Sequence, residues 1–426
     1  MDAGDTAWLL AATALVLLMV PGLAFFYGGM VRAKSVLNIM MMSFYALAIF
    51  PVVWFLYGYS FAFGDDIGGG LLGGAEFVGL NGISPETLSG TIPAYVFIVF
   101  QMLFGVVTVA LVSGAIADRA KFVAWMVFVP VWVTFVYVPV AHWVFAFDAP
   151  DGSTRGGWIT NRLHALDFAG GTAVEINSGA AALALAIVVG RRIGWKREPF
   201  RPHNLPAVLL GAGLLWFGWY GFNAGSALAA NGTAGLALIN TTGSGCAGVL
   251  GWLALEFIRD RKGTSFGAAS GAVAGLVAIT PSCGTVSPLG SLVVGAVAGV
   301  VCALAVGMKY KFNYDDSLDV VGVHLVGGLV GTLIIGFLAT QANVATLGYG
   351  SPGLLYGGGS EQLIRQTTAA VAVLAYSFVV TYMIGLAIDK TIGFRVEEDV
   401  EVSGIDQAEH LETAYEHLSG GSTLGA

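Results

Sequence analysis

Blocks of about 20 apolar residues recur along the whole chain, and each is long enough to cross the hydrocarbon of a bilayer as one helix. No other feature restricts the fold so much. Charge is too scarce to allow a soluble alternative. Charged residues make up 11% and hydrophobic residues 56%, with a mean hydropathy of +0.78; a soluble domain carries about 25% charge. The apolar blocks do not alternate with polar residues at a period of two, so a β-barrel does not fit. Lipid offers no partners for free backbone groups, so the spans must be helices. The chain is therefore an all-α polytopic membrane protein.

A window of about 20 residues predicts about eleven spans. They centre near Leu15, Ala48, Val106, Val129, Ala181, Leu214, Leu250, Val273, Val297, Leu329 and Leu374. The first apolar run starts at Ala7 with no basic leader, and reads as a span rather than a cleaved signal. Of the 19 Lys and Arg residues, only Arg155, Arg162 and Arg365 fall in one set of loops. The rest sit in the alternate loops and the tail, and this bias marks the cytoplasmic side. The N-terminus is then outside and the C-terminus inside. Most of the 61 glycines read as helix-packing positions. Cys246, Cys283 and Cys302 show no metal-ligand or disulfide pattern. The net charge of −8 and the lack of a basic patch speak against nucleic acid. Residues 1–394 read as one transmembrane domain. Residues 395–426 read as a cytoplasmic tail, acidic through Glu397, Glu398, Asp399, Glu401, Asp406, Glu409, Glu412 and Glu416. That tail is too short and too polar to fold alone.

A repeat is hidden in the spans. Asp167 precedes Glu175 by eight positions, and Asp316 precedes His324 by eight. Eight residues is about two helical turns. Each acid thus stands near a helix start, with a titratable group two turns deeper in an apolar run. The first helix enters from outside and the second from inside. That layout suggests two inverted five-helix repeats plus one extra helix, with the pathway at the repeat interface. A titratable group inside a membrane helix marks a pathway or a relay, against the plainer reading of a packing hydrogen bond. Asp167 also suits a helix cap. Aromatic residues gather toward the outer ends of the spans: Phe100, Phe104, Trp143, Phe145, Trp219 and Phe222. Such residues form ordinary interfacial belts. They can also hold a small cation on their ring faces, for up to about 2 kcal/mol when desolvated.

Six ordered stretches resemble the ammonium transporter, methylammonium permease and Rhesus family over nearly the whole chain. They are Pro21-Gly22 to Gly28-Gly29, Leu166 to Thr172, Lys196 through Pro202-His203-Asn204-Leu205-Pro206, Gly221 to Ser226, Gly275-Leu276 to Thr280-Pro281, and Gly322-Val323-His324. The resemblance implies a homotrimer with one pore per subunit. It implies that Phe104 and Ser226 form an outer ammonium site, with Phe100 and Trp219 beside it. It makes Phe104 and Phe222 a stacked gate, Asp167 a buried acid below the site, and His324 the second of two pore histidines. Two positions depart from the family pattern. Phe145 stands where the outer-site Trp is expected, with Trp143 as a substitute face. Glu175 stands at the first pore histidine, as in some fungal members.

Ammonium or ammonia transport across the cell membrane is the function implied, with methylammonium as a further substrate. The expected route is recruitment, deprotonation and passage through a narrow apolar pore, with electrogenic net transport. Two alternatives are an ammonium sensor signalling through its tail and a Rhesus-type neutral gas channel. No nucleophile–base pair or metal cluster suggests an enzyme, and no cofactor is expected. The Gly393-Phe394-Arg395-Val396 motif, followed by acids, resembles tails that bind a PII-type nitrogen regulatory protein.

Overall fold

A computed structural model describes residues 1–415; residues 416–426, including the tail acid Glu416, lie outside the described residues. Among the described residues, ten helices are long and apolar enough to cross a membrane. They are α1 (Ala3–Met30), α2 (Val36–Phe63), α3 (Ala94–Ile116), α4 (Phe122–Phe145), α5 (Gly171–Val189), α6 (Leu205–Gly225), α7 (Gly232–Asp260), α9 (Pro288–Phe312), α10 (Val321–Leu338) and α11 (Glu361–Thr391). The eleventh expected span is α8 (Ser265–Ile279), which has 15 residues. A buried, non-helical stretch from Thr280 to Val286 continues its path. All eleven centres read from hydropathy fall inside these helices.

The core is built by close helix approach. Helices α1 and α6 pack along their length. A Cβ added at Gly211 of α6 would stand 2.3 Å from the Phe26 backbone nitrogen of α1, so only glycine fits there. α5 and α10 cross head to tail at the centre, and α11 lies against both. Both central helices begin with a π-helical turn, Gly171–Ile176 in α5 and Val321–Leu325 in α10. A π turn leaves backbone groups off the ordinary ladder and is frequent at functional sites. Each pore candidate is followed four residues later by a glycine facing the partner helix. At Gly179 an added Cβ would meet the Leu325 nitrogen at 2.4 Å, and at Gly328 it would meet the Glu175 Cβ at 2.8 Å. The inverted layout read from spacing therefore extends to packing.

The loops rich in Lys and Arg gather at one end, and several of those charges are buried as ties. Arg119 is fully buried and donates to the carbonyls of Gly190, Ala115 and Asp315, joining three loops. Burial, helped by the like charges of Arg192 and Arg395 and opposed by Asp315 and Glu401, brings its guanidinium down to about 10. Arg192 pairs with Asp315 at 2.8 Å and Asp118 at 3.1 Å. Burial pushes the Asp315 carboxyl up, but Arg192 and Arg119 outweigh it and hold it below the usual carboxylate range.

The tail is not the solvated segment its composition suggests. It forms α12 (Glu398–Ser403) and α13 (Ile405–His410), docked on the basic end. Glu401 is 1% exposed, pairs with Arg395 and accepts the Ile193 N–H. Asp406 accepts the N–H groups of Leu37 and Asn38, and Glu409 accepts that of Phe122. Those donors belong to the first turns of α2 and α4, which lack a cap from their own N-cap side chains. A segment too polar to build a core is held because its carboxylates complete other helices.

Candidate pore and its mouth

A cavity of about 440 Å³ opens at the end away from the basic loops. Phe104, Phe145, Ser226 and Asp167 line it, together with Phe97 and Gln101. Phe104 stands at its floor, stacked on Phe222 with ring centroids 3.9 Å apart and planes 17° apart. Both rings are buried, so the pair closes the passage beneath the cavity. Phe145 meets Phe104 edge-on at 6.0 Å. The Ser226 hydroxyl donates to the Phe222 carbonyl at 2.8 Å, which leaves its oxygen lone pairs free as acceptors.

Three residues expected at this mouth lie elsewhere. Phe100 is fully buried behind Phe104, edge to face at 4.9 Å, and is not part of the cavity lining. Trp219 lies below the stacked rings, where its indole N–H donates to Thr280 Oγ1 at 2.8 Å. Trp143 turns away toward Tyr376 of α11, 4.7 Å between centroids, and donates to the Leu71 carbonyl. The reason is helical phase: residues a turn apart share a face, but neighbours decide whether that face looks into a cavity or a helix interface. Phe97 and Gln101 were missed in the sequence, although they lie two turns and one turn before Phe104 on α3. That spacing was the available signal.

Asp167 is placed by a left-handed turn. Gly170 has φ 108°, a conformation that disfavours side-chain-bearing residues. The chain thereby turns four amide N–H groups onto one carboxylate, from Gly170 at 2.9 Å, Gly171 at 2.6 Å, Thr172 at 2.7 Å and, more distantly, Ala173 at 3.4 Å. The Thr172 hydroxyl donates as well. Asp167 is thus a cap at the cavity wall, with both oxygens occupied.

Below the rings lies a narrow space of about 10 Å³ with apolar walls, including Leu23, Phe26, Leu111 and Val273. His324 reaches it from α10. Its Nδ1 is 2.7 Å from Glu175 Oε2, and both side chains are almost fully buried. Two residues 149 positions apart in the chain therefore share one hydrogen bond at the crossing of α5 and α10. The pair can hold one proton in two ways, carboxylate with imidazolium or carboxylic acid with imidazole. Both are net neutral, which a dry pore tolerates far better than an isolated charge.

Residues 7–415 match the model of the Ammonium Transporter Family. An ammonium transporter of Mycobacterium tuberculosis (strain ATCC 25618 / H37Rv) is 58% identical, covering 99% of this chain and 92% of that protein. Ammonium transporter Amt1 of Archaeoglobus fulgidus is 44% identical, over 97% of this chain and 100% of its own length. Among solved structures, a sensor Amt protein superposes with a TM-score of 0.86 at 29% identity, covering 96% of this chain and 98% of that one. Saccharomyces cerevisiae Mep2 superposes at 0.85 with 33% identity, covering 98% and 92%.

Proposed function

The chain belongs to the ammonium transporter family and carries ammonium across a membrane, and from that premise we propose that it works by stripping a proton at a shielded gate and moving the proton and ammonia separately. Energetics favours this route. Dragging a bare charge through an apolar centre costs up to roughly 10–17 kcal/mol. Ammonium has a pKa about two units above neutral, so removing its proton costs roughly 3 kcal/mol.

Each residue has a role in this reading. Ammonium enters the mouth cavity on the outer side, drawn by the Asp167 charge. It donates to the Ser226 oxygen and lies against the Phe104 and Phe145 faces. Asp167 acts as an electrostatic anchor, because its oxygens are already engaged by backbone donors. The Phe104–Phe222 stack excludes water and hydrated cations until the ion has shed its shell. Ammonia then crosses the apolar stretch, while the Glu175–His324 pair passes the proton. Transport is electrogenic on this account. The single observation that carries it is the 2.7 Å carboxyl–imidazole contact at the crossing of α5 and α10, beside the space that His324 enters.

The protein acts as a homotrimer in the cell membrane with its basic loops and tail in the cytoplasm, and the 1–394 unit forms the pore. A PII-type regulator would meet the exposed Glu397, Glu398 and Asp399, since Phe394 and Val396 are buried in the docked tail. Pull-down with the tail intact and deleted tests this contact.

Purified protein in liposomes on a solid-supported membrane tests the main reading. Ammonium and methylammonium evoke inward positive current, and potassium evokes none. Binding without any flux would replace transport with sensing, the role in the description of one structural neighbour. Flux without current, independent of pH, would make the pore a neutral gas channel.

A further inference from the structure

Asp167 and Asp316 occupy equivalent places in the two halves, yet their carboxyls are held differently. The two Asp167 oxygens accept from Gly170, Gly171, Thr172 and the Thr172 hydroxyl. Asp316 Oδ2 accepts the Val321 N–H at 2.7 Å, capping α10 as Asp167 caps α5. Its Oδ1 has no partner, although the residue is only 1% exposed. A buried carboxylate oxygen with no donor is costly. A carboxylic acid at the same place carries a hydrogen instead.

The neighbouring charges do not relieve it. Lys309 is the nearest cation, but its Nζ sits 2.7 Å from Asp319 Oδ1 and donates to the Asp316 backbone carbonyl. Arg119 and Arg192 are spent on Asp315. Tyr314 and Asp319 stand beside it on the same loop, and Tyr27 of α1 lies in electrostatic reach of Asp316, Asp319 and Glu175 together. Burial, only partly offset by Lys309, pushes the Asp316 carboxyl up to about 6. Tyr27 also ties this group to the pore: it follows Phe26 and donates to the Leu111 carbonyl, and both of those residues wall the space that His324 enters.

We propose that Asp316 is the inner proton-loading site of the pore, receiving the proton passed on by Glu175 and His324 and giving it to ammonia at the basic end. This rests on the transport reading above. The steps balance: the carboxylate takes one proton from the pore pair, and the carboxylic acid then gives it to ammonia, regenerating carboxylate and ammonium. No other reactant is needed. The two acids thus divide the work, Asp167 as a saturated anchor for a cation and Asp316 as a titrating exit.

The test compares wild type, Asp316→Asn and Asp316→Glu in liposomes. Asn keeps an acceptor for the Val321 N–H but cannot carry the proton. Three signals are read: ammonium-evoked current, internal alkalinisation by ammonia, and the infrared carbonyl band of a protonated carboxyl. In wild type the band appears as pH falls through about 6, and Asp316→Asn removes it. Current falls by at least about tenfold in that variant while alkalinisation persists. Asp316→Glu restores current with a shifted pH midpoint. Wild-type current and pH profile in Asp316→Asn would overturn the proposal, and so would a wild-type protein with no such titrating band. The second result decides even if the Asn variant fails to assemble. Absence of ammonium current in wild type would refute the electrogenic reading itself, whereas an unaffected Asn variant beside a normal wild type refutes only the role of Asp316.

Discussion

On the relay reading proposed above, one proton shared by Glu175 and His324 is the smallest unit with a consequence for transport. Glu175→Leu removes one member and leaves an imidazole with no acid opposite. We expect ammonium current to drop by about two orders of magnitude, with residual ammonia flux and weaker rejection of other cations. Glu175→His supplies the twin-histidine arrangement of the wider family and shifts the pH dependence of current. Currents for ammonium, methylammonium and potassium across pH check both variants; superimposable profiles in all three proteins would reduce Glu175 to a packing residue. The Phe104–Phe222 stack makes a separate prediction. Phe222→Ala removes one ring of a fully buried pair and costs about 3–5 kcal/mol as a core truncation. It also opens the floor of the mouth cavity, so potassium or water permeation rises. Stopped-flow water permeability and potassium current read the gate apart from thermal stability. Glu175 and His324 were marked in the sequence by residue type and matched spacing, because a titratable group in an apolar run has few benign explanations; the pairing of Phe104 with Phe222 came from the family resemblance. Phe100, Trp219 and Trp143 were equally prominent, yet none of them lines the mouth cavity. Nothing in one helix's own sequence reports which neighbour its aromatic face meets.

Helices α5 and α10 show how two elements fix the position of two side chains. Each starts at a buried aspartate, opens with a π turn, presents its titratable group, and then offers a glycine to its partner. The glycines set the crossing distance and hence the Glu175–His324 contact. At Gly328 an added Cβ would lie 2.8 Å from the Glu175 Cβ and 3.1 Å from the Ile176 nitrogen. The backbone cannot yield there as the end of a flexible side chain could. Gly328→Ala should therefore cost about 1–3 kcal/mol through overpacking and lower ammonium current by moving Glu175 off its partner. Melting temperature in detergent and current in liposomes test the two effects; unchanged values for both would mean that the crossing tolerates a wider gap. The acid-to-titratable spacing of eight was readable along the chain. The glycines were lost among 61, since most of those pack somewhere in a membrane bundle.

At the scale of the molecule, the tail is part of the fold. Asp406 and Glu409 donate no residue to the pore, yet they cap α2 and α4, and Glu401 joins Arg395 to the loop at Ile193. Truncation after Phe394 strips these caps. Each is worth about 0.5–2 kcal/mol, so the shortened protein should melt several degrees lower while keeping its eleven helices. Asp406→Ala should reproduce about one cap's share of that loss. Circular dichroism melts of the full chain, the truncation and the point variant compare them; equal melting temperatures would make the tail a passive rider. Exposed large apolar residues such as Leu10, Phe44, Leu250 and Leu289 spread around the bundle, as expected where lipid replaces water.

The sequence alone determined the solvent, the helices and the order of the spans. Those follow from run length, charge scarcity and the need to bond every backbone group in lipid. It also determined which rare ionisable residues lie within apolar runs, and the spacing that relates the two halves. Tertiary structure alone decided which of them meet. It set Glu175 against His324 across 149 positions, left the Asp316 Oδ1 without a donor while Asp167 is saturated, and placed Trp219 below the Phe104–Phe222 stack instead of at the mouth. It also buried charges that composition assigns to solvent, because a carboxylate or guanidinium can lie inside when backbone groups left unpaired at helix ends and loops come to it. Local pattern fixes what a residue can do in a membrane. The partners that let it do so are brought by other helices, and their arrival depends on the packing of the whole bundle.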